Sequence, residues 1–155
     1  PCWVNGVKSF ITHTFTVLVD ETRSVREAIN VGPFDCMDSG ITSNAFPTPE
    51  NGLKLEKEIF LFHFKKPMSS EAIIAEMDRV GYKPATIWDL LGLAEKEPSL
   101  QMKFPIAAFG SVCRIDGNCQ VTCLGKSRTG FRCLSLFYIA GYDWASHFRF
   151  AAVRK

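Results

Sequence analysis

Apolar runs and helical patterns alternate through the first two thirds of the chain. The segments FTVLVD (15–20) and EIFLFHF (58–64) are rich in β-branched and aromatic residues, which favours buried strands. Three other segments have apolar residues at helical spacing, and each begins at or follows a residue able to cap it: SVREAIN at Ser24, SEAIIAEMDRV at Ser69 and IWDLLGLAEKE at Thr86. We therefore predict two strands and three helices in this part of the chain.

The last third, from Phe104 onward, has the pattern of a sheet. FPIAAFGSVCR, CQVTCLG, RCLSLFYIAG and FRFAAVRK are short apolar or alternating runs, and the connectors IDGN, GKSRTG and GYDWASH are rich in turn residues. These runs predict an antiparallel sheet at the C-terminal end, packed on the helices that precede it. The predicted class is α+β.

The composition is that of a globular domain. The 155 residues are enough to bury one hydrophobic core, 46% of them are hydrophobic, and the net charge is only +2. The chain has no stretch of about 18 apolar residues and no visible signal-peptide pattern, so we expect no membrane span. The sequence leaves the localisation open.

Charge is distributed unevenly along the chain. Residues 113–155 hold seven basic but only two acidic side chains, and every Glu and Met precedes residue 113. The basic residues are scattered among the predicted hairpins without forming a stripe. We therefore expect no nucleic-acid partner.

Four of the six cysteines lie between Cys113 and Cys133. The gaps of five, three and nine residues between them do not repeat the paired spacing of structural zinc sites, so we expect no metal and no cofactor. Disulfides between the predicted strands remain an alternative. Cys2 and Cys36 have no spacing partner, and we expect them to be small buried or incidental thiols.

Two parts of the chain resemble a known family. YKPATIWDLLGLA (82–94) resembles a helix start of C-type lectin-fold domains of the formylglycine-generating-enzyme type. FPIAAFGSV, DGN, LSL, DW and the terminal FRFAAVRK are similar to the variable (target) proteins of diversity-generating retroelements. The resemblance begins near Phe34 and is strongest over 68–155. It implies one C-type lectin-fold domain over 1–155, with 1–112 mainly scaffold and 113–150 a candidate variable region.

The resemblance also implies a function and an origin for the cysteines. In such systems a reverse transcriptase miscopies adenines, so that AAC codons become nearly random and can encode Cys, Tyr, Phe, Ser or His but not Glu or Met. Residues 113–150 contain neither Glu nor Met. The implied protein is a non-catalytic one that binds a protein or cell-surface ligand through a hypervariable surface.

The alternation of the C-terminal strands divides core from candidate binding surface. The residues expected to point inward are Val121, Leu134, Leu136, Phe148, Phe150 and Ala152. Those expected to point outward and bind the ligand are Cys113, Cys119, Gln120, Thr122, Cys123, Phe137, Tyr138, Tyr142, Trp144, Ser146 and His147. Gln120 and Trp144 lie outside the set that AAC codons can give. Aromatic side chains among small polar ones suit such a surface, because they offer contact area at low entropic cost.

Two alternatives stand beside this interpretation. An oxidoreductase of the formylglycine-generating kind would share the fold and hold copper with a close pair of cysteines, for which Cys119 and Cys123 are a loose match. The chain is much shorter than such enzymes, and the rest of their motif is missing. A metal-binding domain is the other alternative.

Overall fold

The structure is a computed structural model that describes the backbone of residues 2–4 and 7–155 and the side chains from residue 10 onward. The expectation for the Cys2 thiol falls outside the described side chains. In the part of the chain that is described, the strands are β1 (Cys2–Val4), β2 (Val7–Ser9), β3 (Ile11–Asp20), β4 (Cys36–Met37), β5 (Lys54–Phe62), β6 (Tyr82–Pro84), β7 (Ile106–Ile115), β8 (Asn118–Lys126), β9 (Arg132–Tyr138) and β10 (Arg149–Arg154). The helices are α1 (Val25–Val31), α2 (Ser70–Arg79) and α3 (Ile87–Lys96), followed by a 3-10 turn (Leu100–Met102).

All three helices begin where their capping residues predict. The hydroxyls of Ser24 and Ser69 each accept a hydrogen bond from the backbone N–H three residues later, at 3.1 and 3.2 Å. Thr86 and Asp89 form a complete capping box, because the Asp89 carboxylate also accepts from the Thr86 backbone N–H at 2.9 Å. The predicted helices are therefore confirmed, and local hydrogen bonds account for their starts.

A large mixed sheet organises the molecule. Seven strands follow the order β3-β5-β10-β7-β8-β9-β4, β6 pairs with β10, and β1 and β2 form a separate ladder. The α+β class is confirmed, but the expectation of an antiparallel sheet confined to the C-terminal end is wrong. The strands β3 and β5 belong to the same sheet, and β10 runs parallel to β7, with Phe150 opposite Ala107. Periodicity predicts that a strand forms but not which strand it joins.

Both faces of this sheet are covered at its central strands. Alternate residues of β5, Ile59 and Leu61, join the apolar cluster that includes α1 and α3, and we call this side the helix face. The alternating residues Phe60 and Phe62 point the other way and join a second cluster that includes α2. We call this side the aromatic face. Its other members include Phe109, Trp144 and Phe150. At the edge strand β3 the cover is incomplete, because every second residue from Thr12 to Leu18 is exposed.

The residues predicted to point inward are divided between the two faces. Val121, Phe150 and Ala152 are buried on the aromatic face, and Phe148 packs against them while half-buried. Leu134 is buried on the helix face, where Leu136 packs against the cluster. The prediction that these side chains contribute to the core is confirmed.

A basic groove on the aromatic face as the candidate functional site

A groove of about 610 Å³ opens on the aromatic face beside the C-terminal hairpins. Strands β8 and β9 form its floor, and the segments that lead into β7 and β10 form its walls. It is lined by His63, Gln101, Lys103, Phe104, Pro105, Cys123, Gly125, Lys126, Cys133, Ser135, Phe137, His147, Phe148 and Arg149. No carboxylate is among these described residues.

Strand register places the floor of the groove. Cys123 lies opposite Ser135 and Gly125 lies opposite Cys133 across the antiparallel β8–β9 pair, so all four belong to one face of the sheet. A Cβ atom added at Gly125 would meet no atom within 4 Å. The absence of a side chain at this position therefore keeps part of the floor open.

Gln101 connects the floor of the groove to the 3-10 turn. Its Nε2 donates to the carbonyl oxygens of Gly125, at 2.7 Å, and Cys133, at 3.1 Å, and the side chain is buried. One side chain thus contacts both strands of the hairpin. Only the tertiary packing gives Gln101 this role, and the sequence contains no local signal for it.

Arg149 forms one wall. Its guanidinium lies 4.4 Å from the centre of the Phe104 ring, and its Nη1 donates to the His147 carbonyl at 3.1 Å. Burial lowers the pKa of Arg149 below its ordinary value. Its neighbour His63 donates from Nε2 to the Ser146 carbonyl at 2.8 Å, which ties the end of β5 to the loop before β10.

Several predicted binding residues do come together here. Cys123, Phe137 and His147 line the groove. Tyr142 does not line the groove; it is 40% exposed, and its ring lies 5.3 Å from that of Trp144. Ser146 contributes the carbonyl that His63 contacts, and its side chain is exposed.

Other predicted residues lie away from the groove. Gln120 and Tyr138 are opposite each other on β8 and β9 and project from the helix face, where Tyr138 is 53% exposed. Cys119 is on the aromatic face and half-exposed, but it lies at the far end of β8. The predicted residues therefore do not form a single surface.

Four of the predicted outward residues are buried, and the expectation is wrong for them. Cys113, Thr122, Cys123 and Trp144 are at most 4% exposed. Cys113 and Thr122 are covered on the helix face, whereas Cys123 and Trp144 belong to the aromatic cluster. Alternation fails here because both faces of the sheet are covered.

The thiols also differ from expectation at Cys36. Its sulfur is bonded to that of Cys133, across the parallel pair of β4 and β9, with the two Cα atoms 4.8 Å apart. The expectation of an incidental thiol at Cys36 is therefore wrong. A separation of 97 residues gave no spacing signal for this pair.

The Cys119 and Cys123 pair does not have the geometry of a two-thiolate metal site. The two residues are four positions apart on one continuous strand, which separates their Cα atoms by about 13 Å. Burial also raises the pKa of Cys123 to about 12, against a smaller opposing effect of the backbone near Ile106, so the thiolate is disfavoured. Among the described residues, no group of three or more His, Cys, Asp or Glu side chains is placed to hold a metal ion.

Within the described residues, the helices are too short or too polar to cross a membrane. No protein-family model, curated protein or solved structure matches the chain.

Proposed function

We propose that the protein is a non-catalytic ligand-binding domain with a C-type lectin fold, whose binding surface is diversified by a retroelement. The observation that carries the proposal is the groove on the aromatic face, which is lined by Phe137 and His147, with Tyr142 and Ser146 exposed on the same loop as His147. The sequence predicted that these four residues bind the ligand. Their grouping supports one binding surface on this face.

The loop that leads into β10 is suited to sequence variation. The side chains of Tyr142, Ser146 and His147 are exposed on this loop, whereas Trp144 anchors the loop from within. Exposed substitutions away from such anchors usually change stability by no more than about 0.5 kcal/mol. A loop built in this way tolerates different side chains while its backbone stays in place.

The arrangement of elements supports the proposed fold. Helices α2 and α3 lie between β5 and β7 in the chain, the hairpins of β7, β8 and β9 follow, and β10 returns to pair with both β5 and β7. Helices thus precede and pack on a hairpin sheet, as the resemblance implies. The oxidoreductase alternative has less support, because Cys119 and Cys123 lie too far apart for one metal ion.

Genomic sequence around the gene tests this proposal. We expect a neighbouring reverse-transcriptase gene and a repeat that matches the codons for 113–150 except at adenines. Among copies of the gene in one population, the exposed positions Tyr142, Ser146 and His147 should vary most. The codons for 1–112 are the internal control and should be constant. A region 113–150 as constant as this control, with no matching repeat, contradicts the proposal.

A further inference from the structure

The groove concentrates positive charge. Three of its lining residues are cationic, Lys103, Lys126 and Arg149, and none of its described lining residues is acidic. The whole chain is nearly balanced, with 18 basic and 16 acidic side chains. The charge of the groove is therefore a local feature, and an anion entering it would meet no fixed carboxylate.

Arg149 lacks a partner of opposite charge. Its Nη1 donates a hydrogen bond to a backbone carbonyl and its Cζ lies over the Phe104 ring. Its Nε is buried without a hydrogen-bond partner, and Arg149 joins no ion pair among the described residues. The Nε is covered by protein atoms, so what an anionic ligand would supply is the opposite charge that this half-buried guanidinium lacks. The planar guanidinium fork matches the two oxygens of a carboxylate or phosphate group.

The same positive field reaches the neighbouring strand β3. The ring of His13 lies 5.5 Å from the Phe104 ring. Burial lowers the pKa of His13, and the charges of Arg149 and Lys103 lower it further. Two cations of the groove, Arg149 and Lys103, thus lie close enough to His13 to affect its protonation.

Apolar surface lies beside these cations. Phe104, Phe137 and Phe148 line the groove, and Phe137 and Phe148 pack edge to face with their ring centres 6.0 Å apart. A ligand group next to the anion would thus contact aromatic rings. Charge and apolar contact together define what the groove can select.

We propose that the groove binds an acidic peptide segment, with the carboxylate or phosphate of one side chain on Arg149 and Lys103 and an adjacent aromatic side chain on the phenylalanines. This inference rests on the proposed function, because it names the ligand chemistry of the same surface. The carboxylate and the phosphate share the same chemistry, since each offers negatively charged oxygens to the cations. An acidic side chain and a phosphorylated one are its two sources.

Three blocked peptides test the proposal: Phe-Glu-Phe, Phe-phosphoserine-Phe and the neutral Phe-Gln-Phe. Binding to the full chain is measured by NMR titration of the Trp144 indole and the backbone amides of His147 and Phe148. We expect at least one charged peptide to bind about fivefold or more tightly than the neutral one, since hydrogen bonds to a charged group usually exceed neutral ones by that margin. The tighter of the two charged peptides identifies the source of the oxyanion.

Three variants locate the site, and each is first shown to be folded by its thermal midpoint. Lys103→Gln removes an exposed cation of the groove and should weaken the charged peptide about threefold or more. Gly125→Val adds a side chain where space is open and should block binding. Lys54→Gln is the control, because it also removes an exposed charge, at the opposite end of β5 from His63, and should leave binding unchanged.

The results also separate this inference from the proposed function. Equal binding of all three peptides, absence of binding by both charged peptides, or binding that survives both Lys103→Gln and Gly125→Val overturns the inference. The diversified surface is tested independently by the genomic repeat. A repeat without peptide binding contradicts the groove inference alone, whereas peptide binding without a repeat contradicts the retroelement proposal alone.

Discussion

The indole Nε1 of Trp144 donates a hydrogen bond of 2.7 Å to the hydroxyl of Ser70. That hydroxyl in turn donates to the carbonyl of Ile139, so one buried relay joins the loop before β10, the first residue of α2 and the end of β9. The backbone of Trp144 also exchanges two hydrogen bonds with Met68. The loop beside the groove is thus held from inside, and Trp144 is its anchor rather than part of its binding surface.

Loss of the relay should destabilise the fold. Ser70→Ala leaves the buried indole N–H and the Ile139 carbonyl without their partner, which costs about 1–3 kcal/mol for an unsatisfied group. Chemical denaturation should show this loss of unfolding free energy. Glu71→Ala, at an exposed position one residue later, is the control and should change little. Equal effects of the two substitutions would contradict the relay.

Phe150 and Tyr138 should separate core from surface. Phe150 is 2% exposed and packs against Phe109, Trp144 and Phe64, so Phe150→Ala should lower the unfolding free energy by about 3–5 kcal/mol. Tyr138→Ala removes a side chain that is half in solvent and should cost far less. Denaturation midpoints measured under one condition give the comparison. A similar loss in both variants would place Tyr138 in the core.

The three free thiols described should react at different rates. Cys119 is half-exposed, whereas Cys113 and Cys123 are buried, and burial raises the pKa of both, that of Cys123 to about 12. Because the thiolate is the nucleophile, iodoacetamide should modify Cys119 first and Cys123 last. Peptide mapping by mass spectrometry distinguishes them. Cys123 labelling as fast as Cys119 in the folded protein would show that the groove floor opens.

Serine substitution should follow the same division. Cys123→Ser places a hydroxyl in an apolar cluster and should cost about 1–3 kcal/mol. Cys119→Ser, on the same strand and the same face, should stay within about 0.5 kcal/mol. Thermal melts of the two variants are sufficient to compare them. An equal fall of the thermal midpoint in both variants would contradict this difference between the two positions.

The Cys36–Cys133 bond should stabilise the edge of the sheet. It closes a loop across 97 residues, for which cross-linking contributes about 2–4 kcal/mol by restricting the unfolded chain. The double variant Cys36→Ser with Cys133→Ser should therefore melt at a lower temperature than the oxidised protein. Reductant should lower the midpoint of the parent and leave that of the double variant unchanged. A midpoint insensitive to reductant in both would contradict this contribution.

Stability should depend on pH through His13. Its pKa in the folded state is lowered, by burial first and then by Arg149 and Lys103, so the unfolded chain binds its proton more readily. The folded state therefore loses stability as pH falls through the ordinary histidine pKa of about 6.5 and below. His13→Gln should lose less stability than the parent between about pH 8 and pH 5.

An NMR titration gives the matched control for this dependence. Lys103→Gln removes one of the two charges that lower the pKa of His13 and should raise that pKa. Lys54→Gln removes a charge that is not among its causes and should leave the titration unchanged. An equal change of the His13 pKa in both variants would mean that Lys103 has no special effect on His13.

The starts of the helices were determined by the sequence alone. Ser24, Ser69 and Thr86 satisfy backbone N–H groups within three residues of themselves, and such short-range hydrogen bonds depend on little outside the segment. The strands from Phe104 onward were predictable for another reason, because their side chains alternate between apolar and polar along the segment itself. Phe150 and Ala152 followed from alternation, and both are buried.

The neighbours of each strand were decided only by the tertiary structure. Alternation gives β8 two faces but does not say that both are covered. Cys123 is buried in the cluster that includes α2, and Thr122 lies between β7 and β9. Both contacts are with segments distant in the chain. The same holds for the bond between Cys36 and Cys133. Arg149 lies over Phe104, 45 positions away in the chain, because β10 pairs in parallel with β7. Long-range packing of this kind leaves no periodic pattern in the sequence, and it is what forms the groove.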